Sequence, residues 1–269
     1  MAKKTSKKKT TRKRKEVVIP DEAPQEFLNR ELEWLEFNAR VLHEAIDERT
    51  PLLERIRFLG ISTSNLDEFV MKRVGGLKRQ VEAGVTRLSG GMTPLQQLAA
   101  IHQRMVPLMA AQAECYQKTL LPELEKRGIK LLKWEQLTEK ARAYASQYFK
   151  SNVFPVLTPL AVDPGLPFPF ISNLSISFGV TLRYPEQEEK LFARIKIPKI
   201  IPQWIQVRSD DPADLSFRFV SLKDLIQHNL KDLFPDMELL DVMPFRITRN
   251  ADIERDEEDV DDLLEMIAE

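Results

Sequence analysis

"FLGISTSNLDEF", residues 58–69, interrupts a long helical pattern, and its reading decides how the first part of the chain folds. An apolar run stops at Gly60. Ser62, Thr63, Ser64 and Asn65 then arrive together, before an acidic and apolar restart at Leu66, Asp67, Glu68 and Phe69. The pattern predicts a break between two helices, with Ser64 as N-cap of the second and Asp67, three residues on, completing a capping box. That reading occupies Ser64 and Asp67 and leaves Asn65 in the first helical turn without a structural task. An asparagine amide carries both a donor and an acceptor. A helix N-terminus favours anions. Asn65 is therefore the candidate for reading a base edge beside a phosphate, and the competing reading is a cap and nothing more.

Outward from this stretch, residues 27 to 128 keep a helical period. Leu28, Leu32, Leu35, Ala39, Leu42 and Ile46 recur at three- or four-residue spacing and predict one buried stripe. Asn29 is placed to cap that helix, with Glu31 in its first turn. Thr50-Pro51 predicts the next start, Thr as cap and Pro as first helical residue. After the break, Leu66, Val70, Val74, Leu77 and Val81 form a further stripe. Gly75 and Gly76 lie inside it, which points to close backbone packing or a kink. Gly84 and Gly90-Gly91 mark a loop. Thr93 to Gln96, "TPLQ", is a capping box with Pro at the first position. Pro107 and Pro122 should kink the long helix that follows, and Lys126-Arg127-Gly128 should stop it.

Beyond Gly128 the texture changes. "GIKLLKW" reads as a short strand and residues 138–151 as a helix. "NVFPVLTPLAVDPGLPFPF" has no helical period and reads as ordered loop with a short extended piece. "LSISFGVTLRY" and "KLFARIKIP" alternate in polarity on either side of "PEQEE", which predicts an antiparallel hairpin. "LSFRFVSL" is a further strand. It leads into a helix capped by Ser221 with Asp224. "ELLDVMPFRITRN" returns to strand. The expected architecture is multidomain: a basic tail over 1–20, an all-α helical bundle over 24–128, and an α+β domain with antiparallel strands over 129–269. Val260, Leu263, Leu264 and Ile267 carry a helical stripe that reaches Glu269 with no stop signal, so the α+β domain is expected to be truncated at its C-terminal end.

Charge is distributed unevenly along the chain although its formal net value is only −1. Residues 1–15, MAKKTSKKKTTRKRK, are basic, with almost nothing to bury, and are expected to be disordered. They suit contact with a polyanion, or serve as a solubilising arm. Residues 250–269 are strongly acidic and read as a solvated helix face. No apolar run approaches the roughly 20 residues that span a bilayer, and no secretory leader is evident. With one cysteine, Cys115, no internal disulfide can form; a reducing, cytoplasmic setting is expected, with Cys115 in the core.

Most catalytic signatures are missing. There is no Walker-type phosphate loop, dinucleotide fingerprint or nucleophile elbow. The three histidines, His43, His102 and His228, are isolated and lack metal-ligand spacing.

Two blocks nevertheless form a specific pattern. "FLNRELEWLEFNARVLHEA" and "PLLERIRFLGISTSNLDEFVMKRVGGLK" contain Asn29-Arg30-Glu31-Leu32, Trp34-Leu35, Phe37-Asn38, Arg40-Val41-Leu42, and Ser64 through Phe69. They closely resemble the N-terminal domain of the bacterial type 1 polyphosphate kinases. "FPVLTPLAVDPGLPFPFISNLS" and "FRITRNADIERDEED" resemble that family's middle, or head, domain. The resemblance runs from about residue 25 to the end. It implies reversible transfer of the terminal phosphate of ATP to inorganic polyphosphate, with magnesium. It places a nucleotide contact on Asn65 and a homodimer contact in the head domain. It also implies that the phosphorylated histidine, its partner histidine and the arginines holding metal and phosphates belong to C-terminal domains beyond this chain. None of the three histidines here matches the catalytic motif, so no catalytic residue and no metal ligand is assigned, and the chain alone is expected to be inactive. The alternative is a non-catalytic interaction or dimerisation module with a polyanion-binding tail.

Overall fold

A computed structural model describes residues 29–86, 91–162 and 168–250. The basic tail, the acidic C-terminal stripe with its expected truncation, and Gly90 of the glycine loop lie outside the described residues.

The first helix, α1 (Arg30–Ile46), starts as its sequence dictates. Asn29 has extended backbone geometry, and its Oδ1 accepts from the backbone N–H groups of Glu31 and Leu32 at 3.0 and 3.1 Å. The face it buries is Leu35, Asn38, Leu42 and Ala45. This face is rotated from the expected stripe: Ile46 is exposed and Ala39 only half-buried, while the polar Asn38 is completely enclosed.

The expected break in residues 58–69 does not exist. One helix, α2, runs from Leu52 to Phe69, passes through a π-helical turn at Val70–Val74, and continues as α3 (Gly75–Glu82). Ser64 is an exposed mid-helix residue rather than an N-cap, and Asn65 lies near the C-terminal end of α2, not in a first turn. The polar residues that suggested a cap are satisfied otherwise. Thr63 Oγ1 donates to the Leu59 carbonyl at 2.9 Å, one helical turn back, and Ser62 is buried against α1. At its start α2 lies one residue later than expected. Pro51 itself occupies the cap position with no side-chain bond, because Asp47–Thr50 form a turn closed by Thr50 N–H to the Asp47 carbonyl at 3.1 Å.

Helix α4 (Pro94–Glu114) has the expected capping box: Thr93 Oγ1 accepts from Gln96 N–H at 3.1 Å, and Gln96 Oε1 accepts from Thr93 N–H at 2.8 Å. The helix continues through Pro107. A π-helical turn at Cys115–Leu120 leads into α5 (Leu121–Lys126), with Pro122 in its first turn, where a missing N–H costs little. Gly128, at φ +77°, ends it in the left-handed region that glycine adopts freely. Two apolar clusters hold these helices. One joins Leu35, Leu66, Phe69, Leu77 and Ile101; the other joins Leu42, Ala45, Leu52, Cys115, Leu120 and Leu124. Trp34 stacks on Phe69 with ring centroids 4.6 Å apart. Each enclosed leucine contributes about 1.5–3 kcal/mol by burial, which outweighs the local preference of the Ser-Thr-Ser run for non-helical backbone.

The rest is α+β. Strand β1 (Ile129–Leu132) is followed by α6 (Glu139–Tyr148), capped by Thr138, and by the short strand β2 (Leu160–Val162). The hairpin forms as expected from β3 (Ile176–Arg183) and β4 (Leu191–Lys196), with Phe178 opposite Ile195 and Val180 opposite Ala193. Two further strands, β5 (Trp204–Val207) and β6 (Phe217–Ser221), precede α7 (Leu222–His228), which Ser221 caps by accepting from Asp224 N–H. Strand β7 (Glu238–Arg246) is last. Four strands make an antiparallel sheet in the order β2-β4-β3-β7; Pro244 is tolerated in β7 because that strand is an edge. The other sheet, β1-β6-β5, is mixed: β1 pairs parallel to β6, and β5, absent from the sequence expectation, pairs antiparallel to it. Their shared core includes Phe149, Phe178, Ile195, Leu222, Leu225 and Ile226. Among the described residues no helix is long and apolar enough to cross a membrane.

Candidate functional site

Asn65 is half-buried on α2 and is held by α1. The anchor is Asn38, whose side chain is fully enclosed. Asn38 Nδ2 donates to the Ser62 carbonyl at 3.1 Å and approaches Ser62 Oγ at 3.4 Å. Asn38 Oδ1 accepts from Asn65 Nδ2 at 3.0 Å. Three polar residues are thus chained across the contact of two helices. Asn65 Oδ1 is left without a partner among the described residues.

Two residues beyond Asn65, Asp67 receives a two-pronged bond from Arg246 at the end of β7. Arg246 Nη1 and Nη2 each donate to one carboxylate oxygen at 2.8 Å. About two turns further on, Gly75 lies so close to Asn250 that a Cβ at 75 would fall 2.6 Å from Asn250 Oδ1. The close packing expected at the paired glycines is therefore present at Gly75. The same segment is clamped from its other side. Asn173 Oδ1 accepts from Arg249 N–H at 2.9 Å, the Ile247 carbonyl accepts from Leu174 N–H at 3.0 Å, and the Arg249 guanidinium stacks 4.4 Å over Phe170. Residues 246–250 therefore bridge the antiparallel sheet and the helix that carries Asn65.

Around α3 a cavity of about 520 Å³ is lined by Glu31, Lys72, Arg73 and Gln80, among others; Asn65 is not part of its wall. Two of its cations have carboxylate partners: Lys72 bonds Glu68 at 2.5 Å, and Arg73 lies 3.8 Å from Glu31.

The remaining candidates are not brought together. His43 on α1 and His102 on α4 are exposed. His228 stacks on Trp134 at 5.1 Å, with its ring nitrogens 2.9 Å from the Asp224 carbonyl and 3.1 Å from Glu135 Oε1, a structural tie. Cys115 is buried, as expected, and burial pushes its thiol pKa up, away from nucleophile chemistry. Among the described residues no group of three or more His, Cys, Asp and Glu side chains could hold a metal ion. Magnesium therefore has no donor set of that kind among the described residues.

Sequence reasoning missed Asn38 as a partner of Asn65, and Arg246 as a partner of Asp67. A signal for Asn38 was present: it falls in phase with Leu35 and Leu42, as a polar residue on a buried face. Arg246 carries no comparable signal.

Two family models cover most of the chain. The one described as polyphosphate kinase N-terminal domain matches residues 27–132, and the one described as polyphosphate kinase middle domain matches residues 140–269. The chain belongs to the polyphosphate kinase family. Polyphosphate kinase of Synechocystis sp. is 48% identical over 252 residues, covering 91% of this chain and 35% of that protein. Polyphosphate kinase of Thermosynechococcus vestitus is 45% identical over 259 residues, covering 95% and 35%. That of Mycobacterium ulcerans is 45% identical over 253 residues, covering 92% and 34%. The crystal structure of the polyphosphate kinase from Porphyromonas gingivalis superposes with a TM-score of 0.73 at 28% identity, over 84% of this chain and 33% of that one. The chain thus spans about a third of the length of the polyphosphate kinases it matches. Asn38, Asn65, Asp67 and Arg246 all fall inside the matched ranges, and residues 1–26 fall outside them.

Proposed function

We propose that this chain forms the nucleotide-contacting and dimer-forming part of a polyphosphate kinase, an enzyme that moves the terminal phosphate of ATP reversibly onto polyphosphate. In this reading a helical unit over 24–128 carries Asn65 as the ATP contact. An α+β unit over 129–269 provides the homodimer contact. The reacting histidines and the ligands for magnesium belong to further domains, and this chain alone transfers no phosphate in its cytoplasmic setting. The observation that supports the reading is the anchored amide of Asn65: half-buried, held by Asn38 at 3.0 Å, and with its Oδ1 unpartnered among the described residues.

The experiment is an ATP titration of the 269-residue chain and of Asn65→Ala, followed by NMR. One hydrogen bond is worth about 0.5–1.5 kcal/mol, so the variant should bind ATP roughly two- to tenfold more weakly. Equal affinities remove Asn65 from the site. Formation of polyphosphate from ATP by the 269-residue chain alone would overturn the assignment of the reacting groups to other domains.

The basic run in residues 1–15 favours a second reading, an interaction module that holds a polyanion electrostatically. Polyphosphate binding that falls steeply with salt and vanishes on deleting residues 1–15 would support it; binding unaffected by the deletion would refute it.

A further inference from the structure

We infer that the seam between the helical unit and the mixed sheet is a ligand site of its own, which takes a nucleoside phosphate by stacking the base on Trp204 and holding the phosphates with Lys133 and Lys223. The site does not rest on the reading of Asn65 above, since Asn65 is not in its wall.

The seam holds a cavity of about 810 Å³, within the size range of small-molecule pockets. One wall is helical, with Tyr116 and Gln117 from the turn after α4 and Leu121 from α5. The other wall comes from strand ends. Strands β1 and β6 run parallel, with Leu132 opposite Val220, so their C-terminal ends lie at the same edge of the sheet. The crevice outside the carboxyl ends of such strands is where open α/β sheets take ligands. Here the chain leaving β1 brings in Lys133, and the chain leaving β6 brings in Lys223. Trp204 starts β5 and pairs with Ser221 at the end of β6, so their side chains share one face of the sheet.

The lining selects the ligand. Trp204 is 44% exposed, and with Leu121 and Leu132 it supplies an apolar surface that suits a flat ring. The charged part of the lining is mostly cationic. Lys133 forms no ion pair among the described residues, and Lys223 lies 3.5 Å from Asp224 in an exposed pair that water weakens. Two lysines against one carboxylate favour an anion, and lysine meets phosphate as a point charge. The Tyr116 hydroxyl and the Trp204 indole N–H have no hydrogen-bond partner among the described residues. Partial burial pushes the Tyr116 pKa up, so its hydroxyl keeps its proton and can donate. A ligand with a ring at one end and phosphate at the other uses both parts of the lining. A bare phosphate chain uses only the lysines, and an uncharged ring only the indole. Every base has a π face, so stacking on one indole gives affinity without choosing the base.

The test titrates the 269-residue chain with ADP, GDP, CDP, pyrophosphate and ribose 5-phosphate. It follows the NMR signals of the three tryptophan indoles, that of Trp204 being assigned by its loss in Trp204→Leu. The nucleoside diphosphates should shift the Trp204 signal with affinities within about threefold of one another, and pyrophosphate and ribose 5-phosphate should bind about tenfold more weakly. In Trp204→Leu, read through the methyl signals of Leu121 and Leu132, ADP should bind about tenfold more weakly. Lys133→Gln combined with Lys223→Gln, both at exposed positions, should weaken ADP at least about fivefold and remove most of the salt dependence. A Trp204 signal that no nucleotide moves overturns the inference. So does a preference of about tenfold or more for one base, which stacking alone does not give. Pyrophosphate binding as tightly as ADP reassigns the crevice to bare phosphate and also overturns it, as does a Trp204 shift that disappears in Asn65→Ala and so reports binding elsewhere. Should Trp204→Leu not fold, the indole signal that responds in the ligand series and the lysine variant decide. Failure of the ATP titration of Asn65→Ala described above removes the reading of Asn65 and leaves the Trp204 result standing.

Discussion

Arg55 offers the sharpest test of how the helical part is held together. Its side chain is 3% exposed. The guanidinium donates from Nε to the Ala45 carbonyl at 2.8 Å, from Nη2 to the Ile46 carbonyl at 3.3 Å, and from Nη1 to Glu123 Oε1 at 3.1 Å. Two of these acceptors are the last carbonyls of α1, which have no intrahelical partners. Arg55→Met keeps the apolar stem and removes every donor. Glu123 is 27% exposed and can turn to water, so its share is small. The two carbonyls cannot hydrate so readily; the Cys115 thiol reaches one of them, at 3.6 Å. At about 1–2 kcal/mol for each orphaned acceptor, Arg55→Met should cost about 3 kcal/mol. Glu123→Gln should cost at most about 1 kcal/mol, since an amide oxygen still accepts from Arg55. If charge pairing dominated instead, removing the carboxylate would strand a buried cation and cost about 3–5 kcal/mol. Urea unfolding followed by circular dichroism separates the two. A loss of 3 kcal/mol lowers the midpoint by roughly 1.5 M for a urea slope near 2 kcal/mol/M. A Glu123→Gln effect as large as that of Arg55→Met would refute the capping argument.

Three other outcomes are expected. A double-mutant cycle with Asp67→Asn and Arg246→Gln should give a coupling of about 1 kcal/mol that shrinks with salt, because the bond is two-pronged but partly exposed; a coupling near zero would mean that the fork contributes nothing to holding β7 against α2. Gly60 lies mid-helix in α2 with open space around it, so Gly60→Ala should raise stability by about 0.5–1 kcal/mol in urea unfolding, whereas Gly75→Ala should fall short of that gain because its Cβ meets Asn250. The Ser216 hydroxyl and backbone N–H, with Arg218 and Lys130, hold the Asp214 carboxyl well below the usual carboxylate range. A depressed folded pKa stabilises fully above the unfolded value near 3.9 and is lost as pH falls below it, so the 214–218 turn should loosen on acidification, and Asp214→Asn should flatten that part of an acid titration read by hydrogen exchange.

Much of this chain is legible from neighbours alone. The Thr93–Gln96 capping box, the Asn29 and Ser221 caps and the Gly128 stop each involve residues within four positions of one another, and each forms as read. The β3–β4 hairpin follows from period-two alternation because the residues facing the core, Phe178, Val180 and Leu182, repeat every second position. The two blocks that match the polyphosphate kinases are likewise written in the chain itself, and with them the choice of Asn65. What the local pattern misjudged was residues 62–65. A cluster of Ser, Thr and Asn is a cap when its side chains must satisfy their own backbone, and ordinary helix when another element satisfies them. Here Thr63 turns back onto the Leu59 carbonyl of its own helix, while Asn38, on a different helix, bonds the Ser62 carbonyl and the Asn65 amide. The strand β5, the parallel pairing of β1 with β6, and the grip of Arg246 on Asp67 are of the same kind. Their partners come from distant parts of the chain, and only packing brings them within bonding distance. Sequence therefore determined the caps, the hairpin, the family and the candidate asparagine. Tertiary structure alone decided that α2 is unbroken and that the Asn65 amide is tied to α1, because the first depends on the apolar clusters that α2 joins and the second on the acceptor that Asn38 provides across a helix contact.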